Sequence, residues 1–174
     1  MTPSVRPARP ADGDALARLY NHYVRETVVT FEEEPVSAAM LVERVRRIQA
    51  LPLPWLVAEA AGELLGYAYA SPWRVRRAYR FAVEVTVYAA PDQGGRGIGS
   101  RLYACLLEDL QGLGIHTALG GIALPNPASV ALHEKFGFVQ VAHLREVGYK
   151  HGRWIDVGYW QRTWTDDSNE ETTP

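Results

Sequence analysis

Between residues 81 and 112 the chain changes character twice, and this narrows what it can fold into more than any other feature. Phe81 to Ala89, Phe-Ala-Val-Glu-Val-Thr-Val-Tyr-Ala, is the longest β-branched run and reads as a central strand. Pro91-Asp-Gln-Gly-Gly-Arg-Gly-Ile-Gly99 follows directly, and then Leu102, Cys105, Leu106 and Leu110 recur at helical spacing until Gly112 and Gly114. Strand, glycine loop and helix in succession predict an α/β unit. Four glycines in six residues let backbone N–H groups approach and hold an anion at a helix N-terminus, which makes a phosphorylated ligand the expected guest. The competing reading is a tight turn that only needs positive φ. Two familiar loops are excluded. The Walker pattern requires Gly-Lys-Ser/Thr and this loop has no Lys, while the dinucleotide fingerprint counted from Gly97 puts Leu102 where its third glycine belongs.

Around this unit the pattern stays mixed. Val5 lies in a short apolar entry before the Pro10-Ala-Asp12 turn, and Leu16, Leu19, Tyr20, Tyr23 and Val24 then mark a first amphipathic helix. Ser37, after Pro35, can cap a second helix through Leu41, Val45 and Ile48 to Pro52. Trp55 to Ala60 and Leu64 to Tyr69 read as a hairpin about Ala61-Gly62-Glu63. Thr117 to Leu124 form another strand, and Asn126 with Pro127 opens a helix that carries Val130 and Leu132 and ends before Gly137. Two strands close the domain, near Phe138 to Val147 and Ile155 to Trp164. No internal repeat or linker interrupts the chain, so residues 1–165 are expected to form one domain, with 166–174 an acidic, disordered tail.

Size and charge agree with a single domain. A chain of 174 residues buries roughly 70% of its unfolded surface, so a core needs no staple. Cys105 is the lone cysteine, which excludes an intrachain disulfide and favours an intracellular setting. Residues 1–10 lack the apolar run of a signal peptide and no 18-residue apolar stretch occurs, so a soluble, cytoplasmic protein without membrane contact is expected. The net charge of −2 argues against general nucleic-acid binding. That total hides a separation: the tail from Asp166 carries four acids and no base, leaving eighteen basic against sixteen acidic residues in 1–165. Arg74, Arg76, Arg77 and Arg80 fall in a stretch, residues 64 to 83, without one acid.

Glu84 is the first candidate for catalysis. A carboxylate between Val83 and Val85 on an apolar strand is partly desolvated, which raises its pKa towards the range a general base needs. The alternative is a structural ion pair with Arg80 or Arg76. The Arg run is either a solvated basic face or a binding site for a carboxylate or phosphinate, which a bidentate guanidinium suits. His22, His116, His143 and His151 show no paired ligand spacing, and His133-Glu134 lacks the second His of a zinc helix, so no metal is expected. Cys105, among Ala104, Leu106 and Leu107, reads as packing.

Gln93-Gly-Gly-Arg-Gly-Ile-Gly99 after a central strand, with Asn126 and Ser129-Val-Ala-Leu-His-Glu-Lys-Phe-Gly-Phe138 beyond it, resembles the GNAT-type N-acetyltransferases. Asn21-His-Tyr, Tyr67-Ala-Tyr-Ala-Ser-Pro-Trp73, Glu84-Val-Thr-Val-Tyr88 and the segment from Gly148 to Gln161 narrow the resemblance to the phosphinothricin acetyltransferase family, across roughly Val5 to Trp164. The superfamily pattern of Gln or Arg, two residues, Gly, one residue, Gly aligns Gly97 and Gly99 but meets Gly94 at its first position, with Gln93 one residue early. Backbone groups chiefly read the pyrophosphate, so binding is expected to survive, with Arg96 or Gln93 supplying the side-chain contact.

The resemblance implies an α/β (α+β) domain with a mixed, largely antiparallel central sheet and helices on both faces. It implies acetyl-CoA as co-substrate, held by the loop Gly94, Gly95, Arg96, Gly97, Ile98, Gly99 and Ser100, by the strand end Val87, Tyr88 and Ala89, and by Asn126, which also reads as an N-cap. Glu84 matches the family's proposed base. His133 matches a histidine near its site, against the ordinary reading of a helix-surface residue. Arg74 and Arg76, with Phe31, Tyr79, Glu84 and Thr86, match positions around an amino-acid-like acceptor. A homodimer is implied, the hairpin carrying Tyr149, Trp154, Tyr159 and Trp160 contributing to interface and pocket. The expected activity is acetyl transfer to the amine of a phosphinothricin or methionine sulfoximine or sulfone type of amino acid, by direct attack. The rivals are a GNAT enzyme for a polyamine, aminoglycoside or protein N-terminus, and a non-catalytic acetyl-CoA-binding module.

Overall fold

The computed structural model describes residues 3–164, so the acidic tail from residue 166 lies outside the described residues. Seven strands form one sheet in the order β1-β2-β3-β4-β5-β7-β6. Their ranges are β1 Ser4–Pro7, β2 Trp55–Ala60, β3 Glu63–Pro72, β4 Ala82–Ala89, β5 Thr117–Leu124, β6 Val139–Lys150 and β7 Arg153–Thr163. Five neighbouring pairs are antiparallel and one, β4 with β5, is parallel. The helices are α1 Gly13–Glu26, α2 Ala38–Ala50, α3 Ile98–Gly112 and α4 Pro127–Lys135. The mixed, largely antiparallel sheet with helices on both faces is therefore what the chain forms. Val5 proves to sit in a strand of its own, too short for alternation to reveal, which exists because β2 offers it a partner.

Period-two alternation sorts each strand between two cores. Trp55, Val57 and Tyr67 turn towards α1 and α2, where they meet Leu16, Val24, Leu41 and Val45. Leu56, Ala58, Ala68 and Ala70 turn the other way, towards Leu102, Leu106 and Leu110 of α3. In β4 the same rule sends Val83 and Val85 to the α3 side. Glu84 and Thr86 accordingly share the α1/α2 face with Tyr88. The Ser37 hydroxyl caps α2 by accepting from the Met40 N–H at 3.2 Å, and Asn126 caps α4 by accepting from Ser129 N–H at 3.1 Å. Among the described residues no helix is long and apolar enough to cross a membrane.

Candidate active site

Strands β4 and β5 pair only over Ala82 to Glu84 and Thr117 to Leu119, and then part. Trp73 N–H donates to Ala82 C=O at 3.1 Å and Ala90 N–H to Leu65 C=O at 2.8 Å, which fixes the phase of the β3–β4 ladder. In that phase Glu84, Thr86 and Tyr88 turn their backbone groups to β3, while those of Val85, Val87 and Ala89 face the gap left by β5. The gap is a wedge holding a cavity of about 50 Å³ between Val85, Val87, Ile122, Ala123 and Asn126. The Tyr23 hydroxyl donates to the Ala89 carbonyl at 2.6 Å, so one group at the open end is already satisfied.

Glu84 stands where the wedge closes. Gly121 of β5 lies against it: a Cβ there would approach Glu84 Oε1 and the Tyr159 ring, each to 3.1 Å, so a side chain at this position would push both aside by a few tenths of an ångström. The Tyr159 ring packs edge-on against Trp73 with centroids 5.5 Å apart. Arg74 lies over Trp73, its guanidinium 4.1 Å from the ring centroid. Glu84 makes no salt bridge among the described residues, so the ion pair with Arg80 or Arg76 is not formed. Burial holds the carboxyl above its ordinary pKa, and the Arg74 charge pulls it part of the way back.

At the wedge's outer end the chain makes a helical turn, Pro91–Gln93, and then the glycine loop. Gly97 has φ of 78°, a conformation that costs any other residue about 1–2 kcal/mol, and it places the N-terminus of α3 beside the wedge. The N–H groups of Ile98, Gly99 and Ser100 precede the first intrahelical donor, Arg101 N–H, which bonds to Gly97 C=O at 3.0 Å, and they point out of the helix end. Gly94 has φ of −55° with open space around it, so its identity is not dictated by the fold. Arg96 reaches Gln93 Oε1 at 3.5 Å. Lys135, from the end of α4, donates to Ser100 Oγ at 3.0 Å and brings a further cation to the loop.

The geometry has clear counterparts. The family of the acetyltransferase (GNAT) domain matches residues 5–158. The chain belongs to that family. The phosphinothricin N-acetyltransferase of Streptomyces viridochromogenes is 43% identical over 158 residues, covering 91% of this chain and 86% of that protein. The L-methionine sulfoximine/L-methionine sulfone acetyltransferase of Salmonella typhimurium is 34% identical, covering 91% of this chain and 92% of that one. Among solved structures, a GNAT superfamily phosphinothricin acetyltransferase from Sinorhizobium meliloti in complex with AcCoA aligns with a TM-score of 0.92 at 36% identity. That alignment covers 99% of this chain and 94% of the other.

Within this GNAT domain the sequence-derived candidates divide. Glu84 and Arg74 come together, as do Val87, Ala89, Asn126 and the loop from Gly94 to Ser100 around the wedge and its outer end. Tyr88 also lines the wedge, but its backbone serves β3 and its ring joins Tyr20, Tyr23 and Tyr67 under α1. Thr86 is on the Glu84 face, beside Tyr69. Arg76 and Tyr79 lie on the exposed turn after β3, and Phe31 presses its ring against the Gly148 backbone of β6. His133, 3% exposed, borders the wedge from the α3/α4 side. Its Nδ1–H donates to Ser129 C=O at 2.8 Å and its Nε2 accepts from the Tyr103 hydroxyl at 2.7 Å, so both nitrogens are occupied. Desolvation lowers its pKa and keeps the ring neutral. Trp160 is corrected: it is buried in the α3 core with its indole N–H donating to Glu134 at 3.3 Å, and cannot form an interface. Trp73 and Lys135 lie within the quoted motifs but had no role assigned from the sequence, and Gly121 was not singled out although the Gly120-Gly121 pair inside a strand marks close approach.

Proposed function

We propose that the chain transfers the acetyl group of acetyl-CoA to the amine of a small, anionic amino acid analogue of the phosphinothricin or methionine sulfone kind. The observation that carries this reading is Glu84, a half-buried carboxylate without an ion pair among the described residues, at the closed end of the wedge with Arg74 beside it. The wedge and loop fit the co-substrate by their own chemistry: unpaired strand groups suit an amide-bearing arm, and free helix N–H groups suit a pyrophosphate. Acetyl-CoA supplies an activated acyl group as a thioester. Glu84 takes the proton that an ammonium must lose before its lone pair can form the C–N bond, as the C–S bond breaks and the thiol leaves. The Val87 N–H, which faces the wedge, offers a donor to charge developing on the acyl oxygen, with the Ala89 N–H farther out along the same edge for the amide-bearing arm. Arg74 and Arg76 meet the acceptor's anionic group, with Thr86, Phe31 and Tyr79 around it. His133 holds Tyr103 and α4 in place as a positioning residue.

The same reading includes a cytoplasmic homodimer. Its support is the long edge strand β6, where Val139, Val141, Val147 and Tyr149 are exposed, with Trp154 opposite on β7. Light scattering on the purified chain and on Val141→Lys tests the dimer. The activity is tested by release of free CoA across phosphinothricin, methionine sulfone, polyamines and short peptides, with Glu84→Gln as control. Turnover confined to polyamines or peptides overturns the acceptor assignment, and full activity of Glu84→Gln overturns the base.

A further inference from the structure

Residues 27–37, which link α1 to α2, form neither helix nor strand, so side chains must hold them in place. Val29 in this segment lines the wedge beside Thr86 and Tyr88. On the α1 side the segment is pegged twice. Asn21 accepts from the Val36 N–H and donates to the Val36 C=O, both at 2.8 Å, and the Tyr20 and Thr30 hydroxyls are hydrogen-bonded at 2.7 Å. The third peg comes from β6, 120 residues away, where Lys150 Nζ donates to Thr30 C=O at 2.8 Å. Next to it the Phe31 ring covers the Gly148 backbone so closely that a side chain there would push it away. Thr30 therefore ties the α1 side of the molecule to β6 across the region where β4 and β5 have parted.

Lys150 is a costly residue for this task. It is 2% exposed and has no ion pair among the described residues, and among them the Thr30 carbonyl is its one hydrogen-bond partner. Burial pulls its pKa below the ordinary lysine value, with the charges of Glu33 and Glu32 opposing. A buried ammonium held this way stabilises a fold less than an apolar side chain of similar length, so packing alone does not account for it. We propose that Lys150 is a positioning residue for acetyl transfer, latching Thr30 to β6 so that Val29 stays against the wedge and water is kept from the acyl carbon. The inference rests on the acetyltransferase reading above. With the latch open, water replaces the amine as nucleophile: a C–O bond forms as the C–S bond breaks, one water proton passes to sulfur, and acetic acid and free CoA result.

The test compares wild type with Lys150→Met, Lys150→Arg and Phe31→Ala. Met keeps an apolar chain and removes the donor, Arg keeps a donor, and Phe31 is 42% exposed, so its truncation spares the core. Amide exchange over residues 28–33 is read in the cofactor-free chain, and CoA release is read with and without phosphinothricin. In Lys150→Met, exchange over that segment is expected to quicken about tenfold while α2 is unchanged. The ratio of hydrolysis to transfer rises about fivefold, and Lys150→Arg brings it back towards wild type. Unchanged exchange in Lys150→Met overturns the latch. Hydrolysis and transfer that fall together, at a constant ratio, overturn the positioning role and leave Lys150 a purely structural residue. Should Lys150→Met fail to fold, Phe31→Ala decides, and wild-type exchange and ratio in that variant overturn the proposal. If wild type releases no CoA with or without an amine, the acetyltransferase reading fails, while the exchange result still decides whether Lys150 holds the segment.

Discussion

Glu84 and Gly121 face each other across the point where β4 and β5 separate, so close that a Cβ on Gly121 would stand 3.1 Å from the carboxylate Oε1. Gly121→Ala pushes a methyl group to 3.1 Å from both Glu84 Oε1 and the Tyr159 ring. The expected outcome is a loss of kcat of about tenfold, consistent with the cost of misplacing a reacting group, while acetyl-CoA affinity by calorimetry stays within threefold. An unchanged kcat would show that the carboxylate position is immaterial.

Glu84→Gln separates activity from stability. A positioned base contributes about 10² to 10⁴ in rate, so kcat at pH 7 falls at least 100-fold. Stability moves the other way. The folded carboxyl pKa is raised by burial, so the ionised side chain is held at a cost absent at acid pH, appearing as pH rises through the folded value. The variant melts higher than wild type at pH 8 and not at pH 4; a lower melting temperature at pH 8 contradicts the burial argument.

Arg74→Ala tests the electrostatic partner. Arg74 draws the Glu84 carboxyl down, so its removal shifts the acid limb of the kcat/KM profile to higher pH, while the acceptor KM rises. A rise in KM with an unmoved acid limb would limit Arg74 to binding.

His133 gives the fold a pH signature of its own. Its folded pKa lies below the ordinary value near 6.5. The stability it contributes is therefore complete above that value and is lost as pH falls towards the folded one. Urea unfolding of wild type weakens from pH 7 to pH 5, and His133→Gln, already less stable at pH 7, shows a flatter dependence. Identical slopes would remove His133 as the source.

Gly120→Ala probes the opposite face of the same strand, because its added methyl would run into the His133 ring. Overpacking of this kind costs about 1–3 kcal/mol in chemical unfolding. Stability equal to wild type would mean that α4 shifts freely.

Gly94→Gln restores a polar side chain at the loop's entry. The φ of −55° and the open surroundings accept it without strain, so stability is unchanged. Acetyl-CoA binding tightens severalfold by calorimetry; unchanged binding would show that Arg96 and Lys135 already satisfy the loop.

Much of this arrangement was legible in the chain because it is local. The alternation through Val83, Glu84, Val85 and Thr86 assigns a face to the carboxylate before any fold is known, and the glycines at 94 to 99 announce a strand-to-helix turn. What stayed hidden depends on contacts distant in sequence. Strand β1 is defined by its partner β2, and Lys135 meets Ser100 only through the packing of α4 on α3. His133 shows the limit from the other side. A histidine matched to a known position still had two nitrogens whose partners, Tyr103 and the Ser129 carbonyl, no spacing rule could supply.

The two halves of the sheet, β1 to β4 and β5 to β7, are joined by three residue pairs ending at Glu84 and Leu119. The strands diverge from that point, so the space between them widens from the last pair outward and Val87 and Ala89 stand along its wider part. The α3-side core spans both halves, with Ala68, Val83 and Val85 on one side and Ala118, Ile122 and Trp160 on the other. The carboxylate therefore sits at the narrow end of a tapering slot whose walls one core holds in place, and a long guest laid along the slot would meet it with its tip.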